Sequence, residues 1–186
     1  MPIAKILWAR AQPAEPVERR GGTIRLPHTA LADDGADRPL LTYCRRFRPV
    51  GETDSEIAFC GLMERTALLW EDHPPSPEAR LQTVARYAAE LRELGPANFL
   101  YSDGELLFAH GHRRTQADGQ IAPRGLTVLT RRSATERDAL PAAGVTLETQ
   151  LGPQSLTLFA SVALTDEDWR PLHEGEIVMV RNGERL

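Results

Sequence analysis

Residues 47–60 read FRPVGETDSEIAFC, and they mark the point where the chain changes from an unpatterned segment to a patterned one. Apolar side chains recur at helical spacing through residues 55–70, and Thr53 or Asp54 stands where a helix N-cap is expected. The pattern therefore predicts a helix over residues 55–70 that begins inside the motif GETDSE.

A second helix is predicted from residue 77. Ser76 can cap it, Pro77 suits the first helical position, and Glu78 places an acid in the first turn. Apolar residues then recur at helical spacing as far as residue 91, and the Gly-Pro pair at 95–96 ends the helix.

Strand patterns follow the second helix. Residues 98–110 predict a β-hairpin that turns at Asp103-Gly104. The other predicted elements are strands over 126–130, 155–162 and 176–180, a short capped turn of helix over 165–169, and a turn at Asn182-Gly183. Two helices packed on a largely antiparallel sheet give an α+β fold class.

Composition limits the class of protein. The chain has 186 residues, of which 41% are hydrophobic and 26% charged, values typical of one folded domain. A net charge of −4 gives no electrostatic reason to expect a nucleic-acid partner. No apolar run reaches the roughly 18 residues of a membrane span, and the first residues do not resemble a secretory signal. The cytoplasm is therefore the expected compartment.

The N-terminal region differs from the rest of the chain. Arg, Pro, Asp and Ala dominate residues 8–46, and neither helical nor strand periodicity persists there. We therefore predict an irregular, degenerate region over residues 1–46 and a folded part over residues 47–186. A deletion or a shift of reading frame in the gene would produce such a break, and translating the other two frames tests this hypothesis.

The run at 47–60 resembles class II glutamine amidotransferases, in particular the bacterial branch known as predicted glutamine amidotransferases. Three later stretches are similar to that branch in the same order: NFLYSDGELLFA at 98–109, LTDEDW at 164–169 and EGE at 174–176. The resemblance covers residues 47–186. It implies the N-terminal-nucleophile hydrolase fold, an αββα sandwich, here truncated at its N-terminus.

The resemblance also implies an activity, the hydrolysis of the glutamine amide with transfer of ammonia to an acceptor. In the family, a cysteine that starts the mature chain attacks the amide, its own α-amino group acts as the base, and an Asn-Gly pair supplies oxyanion donors. The motif aspartate holds the α-ammonium group of glutamine, a role that falls on Asp54. Glutamine is thus the expected, weakly bound partner. The alternative is that Asp54 or Thr53 only caps the helix.

No residue of this chain matches the family's nucleophile. Cys44 and Cys60 both lie inside the chain, and Cys60 is predicted to be a buried helix residue. Asn182-Gly183 is the sole Asn-Gly pair in the sequence and is predicted to form a turn. We therefore expect no catalytic residue among these positions, although Asp54 is retained.

Three functions stay open at this point. The chain is an amidotransferase family protein, a non-catalytic binding or interaction domain derived from that family, or one half of a split enzyme. A missing layer would expose apolar surface, which predicts a homo-oligomer or a complementing N-terminal partner. No cofactor or metal is expected, because His110 and His112 lack a third ligand at a useful spacing and are predicted to be exposed at a strand end.

Overall fold

The computed structural model describes residues 46–47, 54–71, 73–133, 137–140, 145–148 and 154–186. These residues divide into two units, one ending at Pro96 and the other beginning at Ala97. We name them the helical unit and the strand unit. Cys44, Thr53 and most of the region predicted to be irregular lie outside the described residues.

Two helices form the described part of the helical unit: α1, Asp54–Leu69, and α2, Pro77–Leu94. Both confirm the predicted helices to within one residue. The start of α2 follows the predicted signal, because the Ser76 hydroxyl oxygen accepts a hydrogen bond from the Ala79 N–H at 3.2 Å. A serine cap of this kind stabilises a helix by about 1 kcal/mol.

The two helices pack where Gly61 of α1 meets Tyr87 of α2. The Tyr87 hydroxyl donates a hydrogen bond to the Ala58 carbonyl oxygen at 2.6 Å. The Arg65 guanidinium lies 4.5 Å from the centre of the Tyr87 ring and pairs with Glu90 on α2. Tyr87 is almost fully buried, and the missing side chain of Gly61 is what allows its hydroxyl to come so close.

We expect Gly61→Ala to destabilise the protein through this contact. An added Cβ would lie 2.6 Å from the Tyr87 hydroxyl oxygen. Alanine is the better helix former by about 1 kcal/mol, but overpacking costs about 1–3 kcal/mol. In a Tyr87→Phe background the nearest remaining ring atom is 3.2 Å away, so the same change should be neutral or stabilising there. Thermal unfolding of the four proteins checks this, and equal losses in both backgrounds would contradict it.

The strand unit is built from short antiparallel strands. Their bounds are β1 Phe99–Ser102, β2 Leu107–His110, β3 Arg113–Thr115, β4 Ile121–Pro123, β5 Thr127–Ser133, β6 Arg137–Leu140, β7 Val145–Glu148, β8 Gln154–Ala160, β9 Arg170–Pro171, β10 Ile177–Arg181 and β11 Glu184–Arg185. Every pairing among them is antiparallel, as the sequence predicts.

Two of the sheets share a core. One has the order β1-β2-β10-β11 and the other the order β8-β5-β9, while β3-β4 and β6-β7 form two-stranded sheets. A buried cluster joins side chains from the first two sheets with Leu172, which follows β9; its other members are Ala109, Val128, Val178 and Val180. A second cluster, with Leu129, Ala160 and Trp169, packs on the three-stranded sheet. Apolar contacts therefore hold the strand unit together.

The β1–β2 hairpin has a longer turn than predicted, because strand pairing resumes at Leu107 rather than at residue 105. The Asp103 carboxylate accepts hydrogen bonds from the N–H groups of Glu105 and Leu106 at 3.0 and 2.9 Å. Gly104 adopts a positive φ of 97°. The side chain of Asp103 thus satisfies the main-chain donors that strand pairing would otherwise use.

Two further predictions are corrected near the C-terminal end. Residues 165–167 form bends, residues 168–169 are irregular, and no helical turn is present over 165–169. The side chain of Thr165 bonds locally instead: its hydroxyl accepts from Trp169 Nε1 at 2.9 Å and donates to Glu167 at 2.7 Å. Strand β8 ends at residue 160, two residues earlier than predicted.

The last hairpin confirms its prediction. Asn182 and Gly183, with φ of 51° and 80°, form the two-residue turn between β10 and β11, as expected for an Asn-Gly hairpin. Within the described ranges, no helix combines the length and the apolar character needed to cross a bilayer.

Candidate functional site

Asp54, the residue to which the family resemblance assigns substrate binding, lies in the first turn of α1. Its Oδ1 accepts a hydrogen bond from the Ser55 N–H at 3.0 Å, and its side chain is half-buried. Asp54 and Glu56 both stand in this first turn, where the positive end of the helix dipole stabilises negative charge. The position thus presents an oriented carboxylate that suits a cationic group.

The hydrogen bond of Asp54 bears on the capping alternative. An N-cap side chain accepts from the N–H two or three residues further on. The Oδ1 bond of Asp54 goes instead to the adjacent residue, and α1 already begins at Asp54. Asp54 therefore sits inside the first turn, and Thr53, the other expected cap, lies outside the described residues.

Cys60 confirms its structural prediction. It lies on α1, six residues beyond Asp54, and only 7% of it is exposed. Because Cys60 lies within α1, its own backbone nitrogen is part of a peptide bond and is not a free amine. Cys44, the other cysteine of the sequence, lies outside the described residues.

The strand unit contains a polar network that sequence analysis did not find, which we name the Asn98 network: Asn98, His112, Arg113 and Glu174. Asn98 Oδ1 accepts from the His112 N–H and Asn98 Nδ2 donates to the Arg113 carbonyl oxygen, each at 2.7 Å. Glu174 lies 2.7 Å from Arg113 Nε and 3.3 Å from His112 Nε2. The network joins the residue before β1 to the segments that follow β2 and precede β10.

The imidazole of His112 has a defined orientation in this network. Its Nδ1 accepts a hydrogen bond from the Ala97 N–H at 3.3 Å, so the neutral ring carries its hydrogen on Nε2, toward Glu174. The side chains of Asn98 and His112 thus hold the main chain of Ala97, His112 and Arg113 in place. Asn98 and Glu174 both lie in the quoted stretches that resemble the family, but no feature of the neighbouring sequence predicts that these two residues belong to one network.

The expected exposure of the two histidines is wrong. His110 is fully buried and His112 is 5% exposed. The His110 ring packs on Phe99 of β1, with ring centres 5.0 Å apart, because β2 is an inner strand of its sheet. Over the ranges that the structure describes, no group of three or more His, Cys, Asp or Glu side chains is placed to hold a metal ion.

Glu176 stands beside the network and forms a paired contact with Arg170. Arg170 Nη2 and Nη1 donate to Glu176 Oε1 and Oε2 at 2.7 and 3.0 Å, and the His173 N–H donates to Oε2 at 2.8 Å. The hydrogen bonds from Arg170 hold the pKa of the Glu176 carboxyl below its usual value, although partial burial acts in the opposite direction.

This lowered pKa predicts a pH-dependent contribution to stability. An acid with a lower pKa in the folded state stabilises above its ordinary value of about 4.3, and the contribution is lost as the pH falls through the folded-state value. We expect Glu176→Gln to lower the free energy of unfolding at pH 7 and to reduce its decline below about pH 4. Urea unfolding across pH 3–7 checks this, with Glu93→Gln on the exposed side of α2 as the control. An unchanged acid decline in Glu176→Gln would contradict it.

Comparison with known proteins gives a consistent result. Residues 28–186 match the family described as class II glutamine amidotransferases. The Escherichia coli K12 protein named "Putative glutamine amidotransferase YafJ" is 32% identical over 142 residues, which cover 75% of this chain and 52% of that protein. A protein of the same general description from Haemophilus influenzae is 26% identical over 140 residues, 75% of this chain and 45% of that protein.

A solved structure agrees with these relatives. The crystal structure of a "predicted glutamine amidotransferase" from Pseudomonas aeruginosa superposes with a TM-score of 0.59 at 34% identity, over 75% of this chain and 52% of that one. The chain thus spans about half the length of the relatives it matches. The family match extends over most of the sequence and includes the motif around Asp54, and the chain therefore belongs to the class II glutamine amidotransferase family.

Proposed function

We propose that this chain carries the glutamine-holding part of a class II amidotransferase, with Asp54 as the residue that pairs with the α-ammonium group of glutamine. The observation that carries the proposal is the placement of Asp54 in the first turn of α1, with Oδ1 oriented by the Ser55 N–H. A carboxylate in this position favours a cationic partner, and the α-ammonium is the cationic group of glutamine.

The proposed fold is the αββα sandwich of N-terminal-nucleophile hydrolases, present here in part. Two antiparallel sheets that share an apolar core support the two inner layers. The likeness to the Pseudomonas aeruginosa structure supports the same arrangement. The boundary between an irregular region and the folded part, predicted after residue 46, belongs to this proposal.

In the proposed reaction, this chain binds glutamine and a partner polypeptide supplies the groups that react with it. In the family reaction, a cysteine thiolate adds to the side-chain amide carbon of glutamine, the C–N bond breaks to release ammonia, and water then hydrolyses the thioester to glutamate. Cys60 is buried on α1, and Asn182-Gly183 forms a hairpin turn, so neither supplies its family counterpart. We infer that the nucleophile and the oxyanion donors come from a complementing polypeptide, or that the chain only binds.

The affinity expected for glutamine is low. A hydrogen bond to a charged group contributes about 1.5–3 kcal/mol, whereas micromolar binding requires about 8 kcal/mol. Asp54 is the one glutamine-binding residue assigned to these positions, and no counterpart for the α-carboxylate is recognised. We therefore expect glutamine to bind at millimolar concentration.

Titration with glutamine, followed by NMR, tests the proposal. The Ser55 amide reports on the Asp54 carboxylate, and the Ala79 amide at the start of α2 serves as the internal reference. Asp54→Asn keeps the shape and removes the charge, so we expect it to abolish the glutamine-induced shift of Ser55 with little change in Tm. If Asp54 serves only the helix, Asp54→Ala should cost about 1 kcal/mol and glutamine should leave Ser55 unmoved even in the wild type.

A further inference from the structure

The hairpin formed by β3 and β4, residues 113–124, has no buried face, and we name it the β3–β4 arm. Its two strands pair with each other and with no other strand that the structure describes. Both strands alternate exposed and half-buried side chains, and the large apolar side chain of Ile121 is 58% exposed. An isolated two-stranded hairpin is marginally stable in water, so interactions other than apolar burial must hold the arm.

Polar side chains of the arm supply these interactions. Gln116 Nε2 donates hydrogen bonds to the carbonyl oxygens of Ala122 and Pro123 at 3.2 and 3.0 Å. In the turn, Asp118 Oδ1 accepts a hydrogen bond from the Gln120 N–H at 2.9 Å. A surface that is ordered before it meets a partner loses less conformational entropy on binding. The β3–β4 arm is therefore preorganised for a contact.

The β3–β4 arm carries positive charge that the described part of the chain does not neutralise. Arg114 Nε donates to the carbonyl oxygen of Arg124, and the Arg124 side chain is exposed. Among the described residues neither arginine forms an ion pair with a carboxylate, whereas Arg113 pairs with Glu174. The whole chain has a net charge of −4, so the arm is a local positive surface on an acidic protein. Such a surface suits an acidic partner that also offers an apolar contact.

The strand unit itself contains a surface of this kind, the loop of residues 162–168 between β8 and β9. Val162 is 36% exposed, and Asp166 and Asp168 are exposed and form no ion pair with a described residue. Glu167, which stands between them, is held by an arginine of β5 at 3.0 Å, so the loop is fixed in place. The loop thus presents an apolar side chain beside two negative charges, the complement of the arm.

We propose that the β3–β4 arm of one copy of this chain docks on the 162–168 loop of a second copy, and that the chain forms a two-fold symmetric dimer. In such a dimer each contact occurs twice, because the arm of either copy meets the loop of the other. The arm arginines face the loop aspartates, and Ile121 packs beside Val162. This inference does not depend on the proposed role of Asp54.

Sedimentation analysis of the wild type and two charge-reversed proteins tests the proposal. The arm variant is Arg114→Glu/Arg124→Glu and the loop variant is Asp166→Arg/Asp168→Arg. We expect a wild-type dimer at low salt whose dissociation constant rises in about 1 M NaCl, where the Debye length is only about 3 Å. Each variant should dissociate roughly 100-fold more readily or more, because like charges then meet at both contacts.

A matched control separates the proposed contact from a general effect of net charge. Arg86→Glu/Arg185→Glu makes the same charge change as the arm variant at exposed positions on α2 and β11. We expect this control to dimerise like the wild type. Equal weakening in the control and in the arm variant would overturn the proposal.

Mixing the arm variant with the loop variant gives the sharpest result. Opposite charges then meet at both contacts, so we expect a heterodimer with a dissociation constant close to that of the wild type. A mixture that stays monomeric would overturn the proposal. If either variant does not fold, the wild type decides, since a monomer at low salt, a dimer insensitive to salt or a species larger than a dimer would also overturn it.

Discussion

Purified protein with these 186 residues is expected to release no ammonia from glutamine above a buffer control. Glutaminase chemistry requires a thiolate, a base within hydrogen-bond reach and an oxyanion hole. Cys60 is buried in α1, and Asn182-Gly183 forms the two-residue turn between β10 and β11. Loss of one oxyanion donor alone costs about 100–1,000-fold in rate, so if the nucleophile and the donors come from a partner, as proposed, turnover by this chain alone should be at background.

A direct ammonia assay with millimolar glutamine measures this. Cys60→Ala and Cys44→Ala are the matched variants, because they remove the two cysteines of the sequence one at a time. Release that is abolished by Cys44→Ala, and unaffected by Cys60→Ala, would contradict the prediction and make Cys44 the nucleophile. Release that appears only when a second polypeptide with a terminal cysteine is added would support the split-enzyme form of the proposal.

Gly125→Ala is expected to cause the largest loss of stability among the single changes considered. An added Cβ would lie 1.8 Å from Asn98 Oδ1 and 2.6 Å from its Cγ. Asn98 cannot move away without breaking its part-buried bond to the His112 N–H and its exposed bond to the Arg113 carbonyl oxygen, and a hydrogen bond contributes about 0.5–1.5 kcal/mol in addition to the cost of overpacking. We expect a loss of about 3 kcal/mol or more, which corresponds to a Tm lower by roughly 10 °C.

Two controls distinguish the steric clash with Asn98 from other causes of the stability loss in Gly125→Ala. Gly119→Ala introduces a side chain at a positive φ of 81° with nothing within 4 Å, so it should cost only the backbone strain of about 1–2 kcal/mol. Asn98→Ala destabilises by itself, but Gly125→Ala added to it should cost little more, because the colliding amide is gone. Additive losses in this double-mutant cycle would show that Asn98 does not set the cost.

The elements that the sequence predicted correctly are those determined by interactions between neighbouring residues. The cap at Ser76 and the Asn182-Gly183 turn are set by neighbouring residues, and both are found as predicted. The helical turn at 165–169 failed because the side chain of Thr165 bonds to Glu167 and Trp169 instead. That competition cannot be judged from propensity alone.

Contacts between distant residues were not predictable. The burial of His110 depends on β2 lying between β1 and β10, which is a property of the sheet order. The hydrogen bond from the Phe47 N–H to Glu64 and the Asn98 network likewise join residues that are far apart in the sequence. Asp54 differs from all of these, because it was identified through the resemblance of its motif and not through periodicity. Its role in binding remains the central prediction.

The measurement that tests this central claim most directly compares L-glutamine with glutaramate, the analogue that lacks only the α-amino group. Both are titrated into the wild-type protein while the Ser55 amide, bonded to Asp54 Oδ1 at 3.0 Å, is followed by NMR. Because Asp54 is proposed to pair with the ammonium group, we predict a saturating shift with glutamine at millimolar concentration and none with glutaramate. Equal shifts with both compounds, or micromolar saturation with glutamine, would contradict the account.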